Sequence, residues 1–240
     1  VHETGAIEST GHKIISVSTK DGKLTSKDIE DTFISFTDEH MVKPKMVYLS
    51  NATETGMIYL KDELKSLYHT CQKLNLYLYL DGARLGVALT SKNNDMTLKD
   101  LIEYTDIFYI GGTKNGALLG EAVVTRHLEL DHYFRYSMKQ YGGLLAKGFL
   151  VGLQFERLFE DNLFYDIGSE ANQRALYFID GLKKYKIAFN ETPTNQQFIT
   201  VSNETYQKIS QKYTFEIWHD LGSSKMIRLV TTYRTKEIEI

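Results

Sequence analysis

The sequence predicts an α/β fold: a central, mostly parallel sheet covered by helices, followed by a smaller C-terminal α+β unit. Two observations carry this. Through the first two-thirds of the 240 residues, short β-like runs alternate with amphipathic helical segments, the texture of βαβ units. Past residue 185 the texture changes to short strand-like runs gathered around one helical stretch. The division is expected at 165/166, giving a larger unit over 1–165 and a smaller one over 166–240.

The elements follow in order. "HKIISVS" (12–18) alternates like a strand, and "TSKDIEDTFISF" (25–36) has helical spacing behind a threonine or serine cap. "PKMVYLS" (44–50) is a second strand, and 58–75 is a helix with Leu60, Leu64, Leu67 and Cys71 along one face. "LYLYLDGA" (76–83), "DIFYIGG" (106–112) and "EAVVTR" (121–126) are further strands, with a helix over 97–105. Helical patterns cover 126–138, 143–162 and 166–184. Beyond them "YKIAF", "QFITV", "TFEIW" and "KMIRLVT" read as strands around the helix "NETYQKISQKY".

Composition narrows the class. A net charge of −3 offers no basic footprint for nucleic acid or an anionic membrane surface. No apolar run is long enough to span a bilayer. The single cysteine, Cys71, excludes an internal disulfide and suits a reducing cytoplasm. The chain starts at Val1 and stops inside a continuing pattern, so it reads as a piece of a longer protein.

In open α/β sheets, ligands gather at the carboxyl ends of the strands. Three polar stretches lie at such ends: "SNATETG" (50–56), "DGARLG" (81–86) and "GGTKNG" (111–116). They direct Asn51, Asp81, Arg84 and Lys114 toward one crevice. A phosphate-loop reading fails, because Lys114 is followed by asparagine and the flanking glycines are misplaced for GxxxxGK[ST]. No GxGxxG follows an early strand, so dinucleotide binding is weakly supported. A covalent role for Lys114 fares better. Asp81 stands at the tip of an apolar strand, where an unpaired charge is costly. A protonated pyridine nitrogen would account for it, and such a ring, in pyridoxal phosphate, is held by a lysine Schiff base. Thr113 beside the lysine suits a hydrogen bond near the phosphate or the imine, and the adjoining glycines are expected to leave room for a cofactor. Taken alone, each residue also has a plainer reading: a solvated turn lysine, a strand-end cap, or an arginine on a half-exposed strand.

"HETGAIESTGHKI", "YLDGARLG", "GGTKNGALLGEAVV" and "IRLVTT" together resemble the threonine aldolase and β-eliminating lyase family, pyridoxal-phosphate enzymes of the aspartate-aminotransferase-like fold. The resemblance runs over nearly the whole chain in the right order. It implies that Lys114 is the Schiff-base lysine, Asp81 the partner of the pyridine nitrogen, and Asn51 and Thr113 further cofactor contacts. Arg84 is implied near the ring hydroxyl and the substrate carboxylate, Arg228 as the clamp on that carboxylate, and His2 beside the site. The implied activity is retro-aldol cleavage of a β-hydroxy amino acid to glycine and an aldehyde, or else β-elimination. A homodimer or homotetramer with shared active sites is implied as well.

The sequence also departs from the family. The histidine that stacks on the cofactor and the glycine-threonine loop that holds its phosphate belong upstream of Val1. Where threonine aldolases carry a histidine after the asparagine, this chain has Ala52, Thr53 and Glu54. Two readings of other classes therefore stay open: a non-catalytic fragment that keeps the sheet, and a nucleotide-binding module.

Overall fold

A computed structural model describes residues 3–239, so His2 lies outside the described residues. Two four-stranded sheets organise them. The first takes the order β1 (Met46–Ser50), β2 (Tyr77–Asp81), β3 (Ile107–Gly111), β4 (Glu121–Thr125). Its first three strands are parallel and β4 returns antiparallel, as the hairpin through the glycine turn requires. Parallel neighbours need crossovers, and α1 (Ser26–Ser35), α2 (Lys61–Lys73), α3 (Leu85–Leu89) and α4 (Leu98–Tyr104) precede or supply them. The register sets Ser50 beside Asp81, so both strands end at one level.

The strands alternate as their sequences imply. Val47, Leu49, Leu78, Leu80, Phe108 and Ile110 are buried on one face. They pack with Leu64, Leu67 and Cys71 of α2, Leu101 of α4 and Phe164. Leu60 drops out of the expected α2 face: it sits at the helix entrance and is exposed, its N–H donating to Glu63. The opposite face of the sheet carries Tyr48, Tyr79, Tyr109 and Val123, none of them fully buried.

One expected strand does not form. Residues 12–18 have no regular structure and none is buried. Alternation specifies a strand only where a neighbour offers a ladder, and none of the described strands lies beside this run.

Helix starts follow local chemistry. Thr25 opens α1 with a reciprocal box: Asp28 N–H donates to the Thr25 hydroxyl at 3.3 Å, and Thr25 N–H donates to Asp28 at 2.7 Å. Thr97 and Asp100 repeat the device at α4, where Lys61 also reaches Asp100 at 2.5 Å.

After α5 (Leu128–Gln140) and α6 (Phe149–Phe159), the long α7 (Leu163–Lys184) crosses from one sheet to the other. Its Gly168 lies against α3 so closely that a Cβ would stand 2.4 Å from the Gly86 carbonyl oxygen. The second sheet is antiparallel throughout, in the order β5 (Phe189–Asn190), β6 (Gln196–Ser202), β8 (Ser224–Val230), β7 (Glu216–Asp220), with α8 (Asn203–Ile209) after β6. Leu182 of α7, Ile199 and Ile227 form its core. A buried hydrogen bond joins it to the first unit, from the Thr194 hydroxyl to the Gly56 carbonyl (2.8 Å), and another ties it to α7, from the Thr231 hydroxyl to the Ala171 carbonyl (2.8 Å).

Two outcomes are expected. Gly168→Ala forces a methyl into backbone and should lower unfolding stability by about 2 kcal/mol or more in urea titration. The Lys61 ammonium, with Thr97 assisting against burial, holds the Asp100 carboxyl down to about 2. A lowered carboxyl contributes stability above its ordinary value near ~4 and loses it as pH falls toward ~2. Asp100→Asn should therefore cost on the order of 1–2 kcal/mol at pH 7 and flatten the stability profile across that acidic window.

Candidate active site

Asp81 closes β2, and its carboxylate is heavily engaged. One oxygen accepts from Ala83 N–H (2.8 Å) and the Tyr109 hydroxyl (2.5 Å); the other accepts from the Tyr48 hydroxyl. The tyrosines share the half-exposed face of the sheet, with Tyr48 stacked on Tyr79 at 5.2 Å and 13°. Burial pushes the Tyr79 phenol up to about 12, and burial together with the Asp81 bond raises that of Tyr109. The Tyr109 phenol thus remains a donor through the physiological range. A carboxylate has about four acceptor positions, so Asp81 retains capacity for a further donor.

Lys114 lies in a 3₁₀ turn (Thr113–Asn115) directly after β3. Its side chain is exposed and makes no hydrogen bond or ion pair among the described residues. The turn is pinned from two sides. Asn115 is buried and donates to the Phe164 carbonyl at 2.8 Å. Glu121, across the hairpin, accepts from Gly112 N–H at 2.7 Å and from the Thr113 hydroxyl at 3.4 Å. The Thr113 hydroxyl thus directs its proton at Glu121, while its oxygen lone pairs stay open to a donor. Burial raises the Glu121 carboxyl; the Gly112 N–H, Thr113 and the Lys114 charge oppose this, and the Asp81 charge adds to it. Glu121 thus senses both the lysine and the strand-end aspartate.

The glycines before the lysine do not leave room for a ligand against the backbone, contrary to expectation. A Cβ on Gly111 would lie 2.6 Å from the Ala83 oxygen, and one on Gly82 would lie 1.8 Å from the Tyr109 oxygen. Absent side chains here let two strand ends touch each other.

Asn51 follows β1 and is 1% exposed. Its N–H donates to the Asp81 carbonyl (2.9 Å) and its side-chain oxygen accepts from Tyr59 N–H (3.2 Å). Its Nδ2 is buried without a hydrogen-bond partner among the described residues. Arg84, after β2 at the entrance of α3, and Arg228, on β8, converge on one carboxylate. Arg84 Nη1 meets Glu54 Oε1 at 3.1 Å, and Arg228 Nη1 meets Glu54 Oε2 at 3.4 Å. Behind this contact Arg228 donates to Gln196 Oε1 (3.2 Å) and to Glu216 (2.5 and 2.9 Å), and it covers the Trp218 ring at 5.0 Å. Gln196 is wholly buried and donates in turn to the Thr53 carbonyl at 3.0 Å.

The structure thus brings Asn51 to Asp81, Lys114 and Thr113 to Glu121, and Arg84 to Arg228. The donor set suits a ligand with a cationic ring nitrogen, an aldehyde and an accompanying carboxylate, and the orphaned Asn51 amide can satisfy one more acceptor. Glu54, Glu121, Gln196, Tyr48 and Tyr109 escaped the sequence reading. The tyrosines left a signal: "VYLS", "LYLD" and "FYIG" each place one two positions before the strand ends.

Comparison with known proteins follows this geometry. The sequence model of the β-eliminating lyase family matches residues 1–204. The low-specificity L-threonine aldolase of Pseudomonas aeruginosa is 35% identical over 175 residues, 72% of this chain and 51% of that one. The threonine aldolase structure from Leishmania major superposes with a TM-score of 0.95 at 42% identity, over 99% of this chain and 70% of that one. Aspartate aminotransferase of Thermus thermophilus superposes at 0.61 with 15% identity, over 81% of this chain and 54% of that one, which shows the fold alone. The fold is thus of the α/β class shared with that aspartate aminotransferase. Within that class the chain belongs to the β-eliminating lyase family. It spans about half the length of the curated relatives it matches. Among the described residues no helix is long and apolar enough to cross a membrane.

Gln196→Leu tests the tie between sheets. It removes one of two donors to the Thr53 carbonyl, which keeps the Gly56 N–H at 3.0 Å, and one of two acceptors of Arg228 Nη1, which keeps Glu54, and should cost about 1–2 kcal/mol in urea unfolding. Glu216→Gln, at the exposed side of Arg228, should cost less by the same measurement.

Proposed function

We propose that the protein is a pyridoxal-phosphate-dependent lyase that cleaves a β-hydroxy amino acid, in the manner of a threonine aldolase, to glycine and an aldehyde. The observation that carries the reading is the pair of arginines, one from the loop after β2 and one from β8, closed on one carboxylate, in a chain whose strand ends lead into Asp81 and the Lys114 turn. Family membership and the names of the relatives support it.

Lys114 would hold the cofactor through its aldehyde carbon, and Asp81 would face its ring nitrogen. Asn51 Nδ2, buried and without a partner among the described residues, would donate to a cofactor oxygen. Bound there, pyridoxal phosphate supplies an electron sink for the charge left on the substrate Cα. The chain's own residues do the rest. Arg84 and Arg228 hold the amino acid's carboxylate and so fix which Cα bond faces the ring. A bidentate guanidinium suits that task better than an ammonium would. Tyr109 and Tyr48 keep Asp81 oriented. The freed Lys114 amine is the group available to move a proton at Cα.

A second reading, β-elimination, is favoured by one observation. Ala52 and Thr53 are buried and Glu54 turns to the arginines, so the stretch holds no imidazole to engage a substrate hydroxyl. Products separate the two: glycine and an aldehyde, or a 2-oxo acid and ammonia. A homodimer or homotetramer belongs to the same reading. It is supported by exposed Leu128, Tyr133 and Tyr136 on α5 and Phe149, Leu150 and Leu153 on α6. A cytoplasmic setting suits the lone buried Cys71, whose thiol burial pushes up to about 12.

Added pyridoxal phosphate should produce a near-visible imine band that Lys114→Ala abolishes, and borohydride should fix the cofactor on Lys114. If reduction leaves Lys114 unmodified, the enzyme reading fails in favour of a non-catalytic fragment. A melting-temperature rise with NAD or ATP and none with pyridoxal phosphate would favour a nucleotide-binding module.

A further inference from the structure

Glu54 stands where the proposed substrate's carboxylate has to go. Its two oxygens are divided between two cations: Oε1 with Arg84 Nη1 at 3.1 Å and Oε2 with Arg228 Nη1 at 3.4 Å. The arginine side chains are 11% and 13% exposed, whereas Glu54 is 51% exposed. The asymmetry is informative. Nearly buried Arg84, with no other ionic partner among the described residues, needs an anion in front of it, because a buried charge stripped of its partner is strongly destabilising; Arg228 is also paired with Glu216. A half-exposed carboxylate on a flexible stem contributes little to hold itself there, since exposed ion pairs are worth about 0–1 kcal/mol.

The backbone around Glu54 allows exchange without unfolding. Thr53 is held on both sides, its N–H donating to the Met57 carbonyl (2.8 Å) and its carbonyl accepting from Gln196 (3.0 Å). The Glu54 side chain extends from this anchored turn and can swing away by rotation of its own torsions. Arg228 would not follow it, being held from behind by Gln196 and Glu216. Arg84 has no ionic partner besides Glu54 among the described residues.

We propose that Glu54 is an internal stand-in for the ligand carboxylate, occupying the Arg84–Arg228 subsite until a free carboxylate displaces it. The proposal rests on the lyase reading for its physiological ligand, the α-carboxylate of an amino acid. Its chemistry is that of carboxylate exchange alone. The stand-in keeps the arginine pair assembled and neutralised between turnovers, and it weakens every incoming carboxylate by the fraction of time Glu54 is engaged.

The test uses acetate, which carries the carboxylate and nothing else, titrated calorimetrically at constant ionic strength without cofactor. If Glu54 is engaged about nine-tenths of the time, its release should tighten acetate binding about tenfold. Glu54→Gln removes the competing charge; Glu54→Asp keeps the charge but is one methylene too short to bridge. Both should tighten binding. Tightening in Glu54→Gln with no change in Glu54→Asp would assign the effect to net charge and overturn the proposal. Unchanged affinity in both, or no acetate binding in any form, would overturn it too. The unsubstituted chain gives an independent reading: the Glu54 carboxyl carbon, followed by NMR, should shift with the same midpoint as acetate binding, and a stationary resonance sinks the idea. Cofactor attachment at Lys114 plays no part in these readouts, so this proposal and the lyase reading can fail separately.

Discussion

Gln196, through its buried amide, ties the second sheet to the loop that follows β1 of the first. It lies at the start of β6 with no solvent exposure, yet its amide spans two structural units. The nitrogen donates to the Thr53 carbonyl in the loop after β1, and the oxygen accepts from Arg228 on β8. A buried amide is tolerated only when its donors and acceptors are satisfied, so the geometry of both partners is constrained at once. Glu54 hangs next to Thr53, and that loop follows the strand whose register sets Ser50 beside Asp81. The arginine clamp and the strand ends are therefore fixed relative to each other by hydrogen bonds, with little left to the flexible ends of long side chains.

Around this tie the site is an arrangement of paired charges in partly buried surroundings. Asp81 is surrounded by hydroxyl and backbone donors, Glu121 by the N–H and hydroxyl of the lysine turn, and Arg228 by two carboxylates and an amide. Lys114 differs from these, being exposed and without a hydrogen bond or ion pair among the described residues. An amine left free at the end of a parallel strand, where the sheet gathers its polar groups, is available for chemistry in a way a tied amine is not. Glycine contributes by a different route from the one its permissive backbone suggests. Gly82, Gly111 and Gly168 are places where one backbone lies on another, and Gly86 admits the Asn115 side chain, so the strand ends and α7 close into a compact floor.

Much of the fold was legible because period and punctuation agree. The buried leucines at alternate positions of "LYLYLD", and Leu64, Leu67 and Cys71 along α2, are one-face patterns that a single window contains. The run at 12–18 misled because alternation records which side chains share a face and says nothing about whether a neighbouring strand exists. Asp81 drew notice because an unpaired charge is expensive at a strand end, Lys114 because it stands in a glycine turn after a strand, and Arg228 only through the family resemblance. Glu54, Glu121 and Gln196 did not, because an acid in a loop, an acid opening a strand and an amide near a proline are ordinary in sequence. Their importance lies entirely in what they face.

By itself the sequence determined the alternation of strands and helices, the polar strand ends and the residue types available there. It also carries the family resemblance, since these are properties of short windows and their order. Only the tertiary structure decided that Arg84 and Arg228 meet, that Glu54 lies between them, that Tyr48 and Tyr109 reach Asp81, and that the glycines serve backbone contact. Each of those is a meeting of segments far apart in the chain, and Arg228 stands 174 positions after Glu54. Such distances are set by strand order and register, which hydrogen bonding and burial of the whole chain choose together and no local pattern encodes.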